Sequence, residues 1–102
     1  MIPVGVIGQG RATVPNAPTS FFGIGYSNYV VLGWAAPSFN GGLPVTSYTL
    51  KLFDSTILYT GLNTSFTHTG LPPYPELYSY TIVATNAAGD SATASASTST
   101  TG

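Results

Sequence analysis

The sequence predicts an all-β protein, a seven-stranded antiparallel β-sandwich that follows an extended N-terminal arm. Two observations support this prediction. From residue 78 onwards apolar side chains occupy every second position, at Tyr78, Tyr80, Ile82 and Ala84, which is the period of a strand with one buried face. The 12 glycines and 8 prolines separate short runs of β-branched and aromatic residues, a pattern typical of many short strands joined by turns.

The strands are predicted in order along the chain, at residues 19–26, 29–35, 45–54, 57–60, 65–69, 77–86 and 91–99. Their alternation assigns the side chains that face inward. The predicted core comprises Val30, Leu32, Trp34, Tyr48, Leu50, Leu52, Tyr78, Tyr80, Ile82 and Ala84. After the second strand, Asn40-Gly41-Gly42 can adopt positive φ at little cost. Pro37 and Pro44 end strand pairing on either side of that turn.

Three parts follow from this assignment: an arm at residues 1–14, the sandwich at 15–99 and a polar tail at 100–102. The arm carries four large aliphatic side chains, Ile2, Val4, Val6 and Ile7. An exposed segment of this kind favours aggregation. It is therefore either a loose tail or a docking arm that pairs with a strand edge or fills a groove of a neighbouring subunit.

The composition excludes several classes of function. Only 5% of the 102 residues are charged, and cysteine is absent. Two separated cations cannot neutralise a nucleic-acid backbone, and without cysteine there is neither a disulfide framework nor a thiolate metal site. No run of about 18 apolar residues could insert into a membrane. The first residues lack the basic and apolar regions of a secretory signal, which predicts synthesis without export.

Five segments resemble, in order and spacing, a fibronectin type III domain of the bacterial or phage type over residues 15–98. They are P-N-A-P-T at 15–19, Y-V-V-L-G-W-A-A-P at 29–37, G-G-L-P-V-T-S-Y-T-L at 41–50, T-S-F-T-H-T-G-L at 64–71 and Y-S-Y-T-I-V-A-T-N-A-A-G at 78–89. The resemblance implies an immunoglobulin-like sandwich with Trp34 as its core tryptophan. It implies that the Tyr78 hydroxyl bonds to upstream backbone as a tyrosine corner. The preceding L-P-P-Y-P-E-L departs from the family's shorter, glycine-containing link.

Candidate catalytic residues are few. His68, the single histidine, could form a triad with Ser65 or Ser79 only if an acid lay nearby, and its position predicts a neutral side chain packed at a sheet edge. Lys51 is predicted to be a solvated strand residue. The three carboxylates, Asp54, Glu76 and Asp90, lie far apart in the sequence. We therefore predict no enzymatic activity, no cofactor and no metal.

Six aromatic residues are expected to be at least partly exposed: Tyr26, Tyr29, Phe39, Phe53, Tyr59 and Tyr74. Such residues stack on sugar rings, form the centre of protein interfaces or cover the edges of a sandwich. As partner-docking residues the sequence suggests the four aliphatics of the arm together with Tyr29, Phe39 and Phe53.

Two functions fit these observations. The first is a small structural accessory protein of a phage or virus particle, a decoration, cement or tail-associated module, made in the host cytoplasm and located in the virion. Its partners would be capsid or tail subunits or a second copy. The second is a spacer or glycan-binding module of a secreted bacterial enzyme or adhesin, for which weak binding of a surface glycan is expected.

Overall fold

The computed structural model describes residues 12–102, and it confirms the all-β sandwich. Its strands are β1 (Thr19–Gly25), β2 (Val30–Ala35), β3 (Ser47–Leu52), β4 (Ile57–Gly61), β5 (Ser65–His68), β6 (Leu77–Asn86), β7 (Gly89–Asp90) and β8 (Ala94–Ser99). One sheet has the order β1-β2-β5. The other has the order β4-β3-β6-β7, with β8 also paired to β6. All of these pairings are antiparallel.

Residues 12–102 form eight strands where seven were predicted. The predicted seventh strand, at residues 91–99, begins only at Ala94 as β8, and the additional strand β7 lies just before its predicted start. Both β7 and β8 pair with β6, and Ser91 lies in the gap between them. The Ser91 N–H donates to the Ala84 carbonyl at 2.8 Å, and the Ser91 Oγ accepts from the Ala84 N–H at 2.9 Å. A serine side chain thus replaces a strand carbonyl, and β6 keeps its buried polar groups paired across the interruption.

The core lies between the sheets and contains nearly all the side chains that the alternation predicted. Its buried apolar residues are Val30, Leu32, Trp34, Tyr48, Leu50, Tyr78, Tyr80, Ile82 and Ala84, and Leu52 is only partly buried. The Trp34 ring has aromatic neighbours at centroid distances of 6.2 Å for Phe21 and 6.0 Å for Tyr48. Its indole N–H is buried and has no hydrogen-bond partner among residues 12–102.

One end of the sandwich is held together by Asn86, the buried last residue of β6. Its Nδ2 donates to the Thr13 and Asn40 carbonyls, both at 2.8 Å, and its Oδ1 accepts from the Ala88 N–H at 2.8 Å. The Thr13 N–H also donates to the Gly41 carbonyl at 2.9 Å. The last residues of the predicted arm are therefore bound to the sandwich.

The opposite end is held by Thr100, which the sequence analysis assigned to a polar tail. Thr100 is buried, and its N–H donates to the Glu76 carbonyl at 2.9 Å. The Glu76 N–H donates in return to the Thr100 Oγ1 at 3.0 Å. The next residue, Thr101, donates its N–H to the Tyr26 carbonyl at 2.9 Å. Thr100 and Thr101 thus belong to the folded domain.

The tyrosine corner implied by the resemblance is absent. Tyr78 is buried and its ring meets His68 edge-on at 6.0 Å, but its hydroxyl forms no hydrogen bond with any residue from 12 to 102. Three prolines in the preceding loop fix φ and remove N–H groups. Thr100 anchors that loop instead, through Glu76 and through the Tyr74 carbonyl.

Candidate interaction surface

Strand β1 places its large side chains outward and its glycines inward. Phe22 and Ile24 are 49% and 46% exposed. Gly25 faces β8 so closely that a Cβ there would lie 1.8 Å from the Ser99 carbonyl oxygen. A bulge near Ser20, where φ is 53°, shifts the register with β2 and sets this phase. Two apolar side chains are left facing solvent because the inner side of the strand has no room for them.

The apolar surface extends across β1 and β2. Ile24 pairs with Val31, and the Tyr26 and Tyr29 rings stack at a centroid distance of 4.8 Å. We call Phe22, Ile24, Tyr26, Tyr29 and Val31 the outer face. Large exposed apolar areas on a soluble domain often mark interaction sites.

The tip of the Phe22 ring lies over Gly33 of the neighbouring strand. A Cβ added to Gly33, its cross-strand partner, would lie 2.6 Å from the tip of the ring. Glycine at this position allows the ring to cover the backbone, and the ring in turn buries the glycine. A side chain already fixed in one orientation loses less entropy when a partner covers it.

The outer face carries no charge. The charged residues of the described chain, Lys51, Asp54, Glu76 and Asp90, all lie outside β1, β2 and β5. A partner that covers the outer face therefore does not have to desolvate an ion there, a step that usually opposes burial.

The neighbours of His68 belong to the packing of the sandwich. It lies on β5, an edge strand, and its Nδ1 is 3.0 Å from the Tyr80 hydroxyl. Burial lowers the pKa of His68. Burial, followed by the charge of Tyr78, raises the pKa of Tyr80 to about 12. A protonated Tyr80 hydroxyl can therefore donate to a neutral imidazole.

The two candidate serines do not complete a triad with this histidine. Ser65 pairs with Gly33 on β2, and the Ser79 hydroxyl bonds to the Ser97 hydroxyl across the other sheet at 3.0 Å. Among residues 12–102 no hydrogen bond joins His68 to a serine or an acid.

The carboxylates of Asp54 and Asp90 accept hydrogen bonds from residues close to them in the sequence. Asp54 Oδ1 accepts from the Thr56 N–H at 3.0 Å, and the hydrogen bonds from Thr56 lower the pKa of Asp54. Asp90 Oδ1 accepts from the Thr85 hydroxyl at 2.6 Å. Within the described part of the chain no three acids or histidines come together as a metal site. That part also contains no helix long and apolar enough to cross a membrane.

The three suggested docking residues that the structure describes lie on different elements. Tyr29 belongs to the outer face, Phe39 lies in the β2–β3 loop and is 54% exposed, and Phe53 follows β3 and is 70% exposed. The four aliphatics of the arm, Ile2, Val4, Val6 and Ile7, lie outside the described residues.

Among the other expected exposed aromatics, Tyr26 and Tyr74 are exposed. Tyr59 is partly buried, because its ring lies 5.8 Å from Phe66 and 6.4 Å from Trp34. The sequence analysis did not identify Phe22 and Ile24. Their alternation with Gly23 and Gly25, continued by Tyr26, is the signal that could have revealed an outward apolar row.

Comparison with known proteins identifies the fold. No protein-family model and no curated protein matches the chain. A titin fragment matches with a TM-score of 0.76 at 22% identity, over 89% of this chain and 34% of the fragment. The structure of FN3tt matches with a TM-score of 0.71 at 26% identity, over 87% of this chain and 97% of that one.

A Yersinia enterocolitica family 28 exopolygalacturonase matches with a TM-score of 0.67 at 18% identity, over 84% of this chain and 20% of that one. The chain therefore spans about a third of the titin fragment and a fifth of the exopolygalacturonase. The topology and these likenesses define an immunoglobulin-like β-sandwich. Within that class the chain is a fibronectin type III-like domain.

Proposed function

We propose that this chain is a non-catalytic structural module that docks onto the subunits of a larger particle. In its specific form the proposal is an accessory protein of a phage or virus particle, a decoration, cement or tail-associated component located in the virion. Its partners are capsid or tail subunits, and the contact is made by protein surfaces without nucleic acid or membrane insertion.

The observation that carries the proposal is the uncharged outer face. Each of Phe22, Ile24 and Tyr26 is between two-fifths and one-half exposed, so burial of this remainder contributes on the order of 1 kcal/mol per side chain. That sum is too small for a tight complex of two free molecules once the cost of association is subtracted. It suffices for a module that also contacts its neighbours in a regular array, because each of two linked contacts raises the effective concentration for the other.

The experiment compares two matched substitutions during particle assembly. Ile24→Glu places a charge in the outer face, whereas Ile57→Glu places one at an exposed isoleucine of the other sheet. The chain is expected in particles purified from cells that express its natural gene, as detected by mass spectrometry. Ile24→Glu should remove it from the particle fraction and Ile57→Glu should not. If the wild-type chain is never found with particles, the proposal is wrong.

A second function is supported by one specific likeness. A domain of this fold occurs within a chain named as an exopolygalacturonase, which is consistent with a spacer or glycan-binding module of a secreted bacterial enzyme or adhesin. For this function the exposed Phe39 is the aromatic candidate for stacking on a sugar ring. Retention of the wild-type chain, but not Phe39→Ala, on an insoluble polysaccharide would support it. Equal elution of both would contradict the glycan-binding form.

A further inference from the structure

An open groove lies at the end of the sandwich that Asn86 holds together. It has a volume of about 480 Å³ and is lined by Ala36, Pro37, Ser38, Phe39, Asn40, Val45 and Tyr48. This volume is within the range of sites that bind small ligands or peptide segments. No ionisable group other than the Tyr48 phenol lines it, and Phe39 stands half-exposed at its side.

Tyr48 gives this groove a polar group that no residue from 12 to 102 uses. Its side chain is only 4% exposed, and burial raises its pKa, so the hydroxyl keeps its proton. No residue between 12 and 102 forms a hydrogen bond with that hydroxyl. The groove therefore offers a hydrogen-bond donor with apolar side chains around it, and it suits an apolar segment that carries free carbonyl groups.

The loop between β5 and β6 is an apolar segment with free carbonyl groups. It contains L-P-P-Y-P at residues 71–75, in which Tyr74 is 56% exposed. Pro72, Pro73 and Pro75 have no N–H to satisfy, and their carbonyls accept no hydrogen bond from the described residues. Proline-rich segments are restricted before they bind, and they dock into aromatic-lined grooves at a low entropic cost.

The loop and the groove lie at opposite ends of the sandwich. The loop adjoins the start of β6, where Thr100 bonds to Glu76 and to the Tyr74 carbonyl. The groove adjoins the end of β6, where Asn86 bonds to the Asn40 carbonyl. Strand β6 has 10 residues and thus spans about 30 Å. The loop of one molecule cannot reach its own groove.

We propose that the groove of one copy binds the 71–75 loop of a second copy, so that molecules associate head to tail. Tyr74 and the flanking prolines enter between Pro37 and Phe39, and a loop carbonyl accepts the hydrogen bond of Tyr48. Such a contact is heterologous, because it joins two different surfaces, and it can repeat to form a row of molecules. It uses neither the outer face nor the arm, so it stands apart from the docking proposal.

Sedimentation velocity of the wild-type chain and two single variants tests this proposal. The wild-type mass should rise with protein concentration beyond two chains, because each added copy leaves one free groove and one free loop. Phe39→Ala removes a groove side chain and Tyr74→Ala a loop side chain. Both side chains are more than half exposed, so the melting temperatures should stay close to wild type. Each variant alone should remain monomeric.

Mixing the two variants is the decisive measurement. The intact loop of Phe39→Ala fits the intact groove of Tyr74→Ala, so the mixture should form pairs of two chains that grow no further. Tyr48→Phe should weaken the wild-type association about tenfold, as expected for one lost hydrogen bond. Phe53→Ala, at an exposed aromatic elsewhere, should leave it unchanged.

Three results would overturn the proposal. They are a wild-type chain that stays monomeric up to millimolar concentration, a wild-type assembly that stops at two chains, and a mixture of the two variants that stays monomeric. Association of either single variant to the wild-type extent would also place the contact elsewhere.

Discussion

Trp34 combines a large buried ring with an unpaired polar group. The ring fills the centre of the core, whereas no residue in the described part of the chain pairs with its buried indole N–H. The cost of leaving that N–H unpaired, about 1–3 kcal/mol, is subtracted from what the ring contributes by packing. The residue therefore stabilises the fold by shape and not by hydrogen bonding.

Two substitutions separate these contributions. Trp34→Ala should lower the free energy of unfolding by about 3–5 kcal/mol, as large core deletions do. Trp34→Phe should cost less than half as much, because it keeps an aromatic ring and removes the orphan donor. Urea denaturation followed by circular dichroism measures both. Equal losses for the two variants would contradict this assignment of the contributions.

His68 should make stability depend on pH near neutrality. Its pKa in the folded protein is below the ordinary value of 6.5 because of burial, so the unfolded chain binds the proton more readily. Stability from this residue is thus complete above pH 6.5, and it decreases as the pH falls from 6.5 towards the folded pKa. Asp54, whose pKa is lowered from 3.8, contributes stability that is complete above pH 3.8 and is lost as the pH falls below that value.

The measurement is the melting temperature at a series of pH values from about 7.5 to 5. The wild-type melting temperature should fall across this range, whereas His68→Gln, which keeps a polar partner for Tyr80, should show a flatter profile. A wild-type profile as flat as that of the variant would mean that His68 does not change its environment on folding.

At the scale of the element, the interruption between β7 and β8 depends on one side chain. Ser91→Ala leaves the Ala84 N–H without its acceptor in a buried position, which should cost about 1–3 kcal/mol. Ser97→Ala is the matched control, because its hydroxyl bonds Ser79 at an exposed site where water can replace it. Its effect should stay within about 0.5 kcal/mol. Chemical denaturation measures the free energy of unfolding of both variants. A larger loss for Ser97→Ala than for Ser91→Ala would contradict the role assigned to Ser91.

Comparison of β6 with β1 shows how far the sequence predicts the structure. In β6 the period of two continues through a central strand with one face on the core, and the inward positions of Tyr80 and Ile82 follow directly. In β1 the adjacent Phe21 and Phe22 give no unique phase, and the bulge that resolves it depends on pairing with β2. The local alternation indicates an apolar row at Phe22, Ile24 and Tyr26, but the side of the sheet that this row faces depends on the pairing with β2.

The groove and the Thr100 anchor were missed for a related reason. Both join residues far apart in the chain, such as Phe39 with Tyr48 and Thr100 with Glu76. Neither contact leaves a periodic signal. The polar last residues were therefore predicted to be a tail. A threonine hydroxyl and a backbone N–H are nevertheless suitable partners for the preceding loop, because its three prolines have no N–H groups.

At the scale of the whole molecule, truncation should measure how much the residues that join the arm to the sandwich contribute to stability. A chain that begins at Thr13 keeps the hydrogen bonds of Thr13 with Gly41 and Asn86 and should melt at the wild-type temperature. A chain that begins at Ala17 loses both of them, together with the bond from the Asn16 N–H to the Phe39 carbonyl. It should melt several degrees lower. Equal melting of both would show that residues 13–16 add nothing to the fold.

The positions of Thr13 and Thr101 also determine how the domain would respond to tension. Thr13 is bonded to Asn86 and Thr101 to Tyr26. These two points lie at opposite ends of β6. A pull on these two points runs parallel to the strands, so the interstrand hydrogen bonds are sheared together instead of being opened one at a time. The domain should therefore resist a force applied along its strands. It should unfold more readily under a force applied across the sheets.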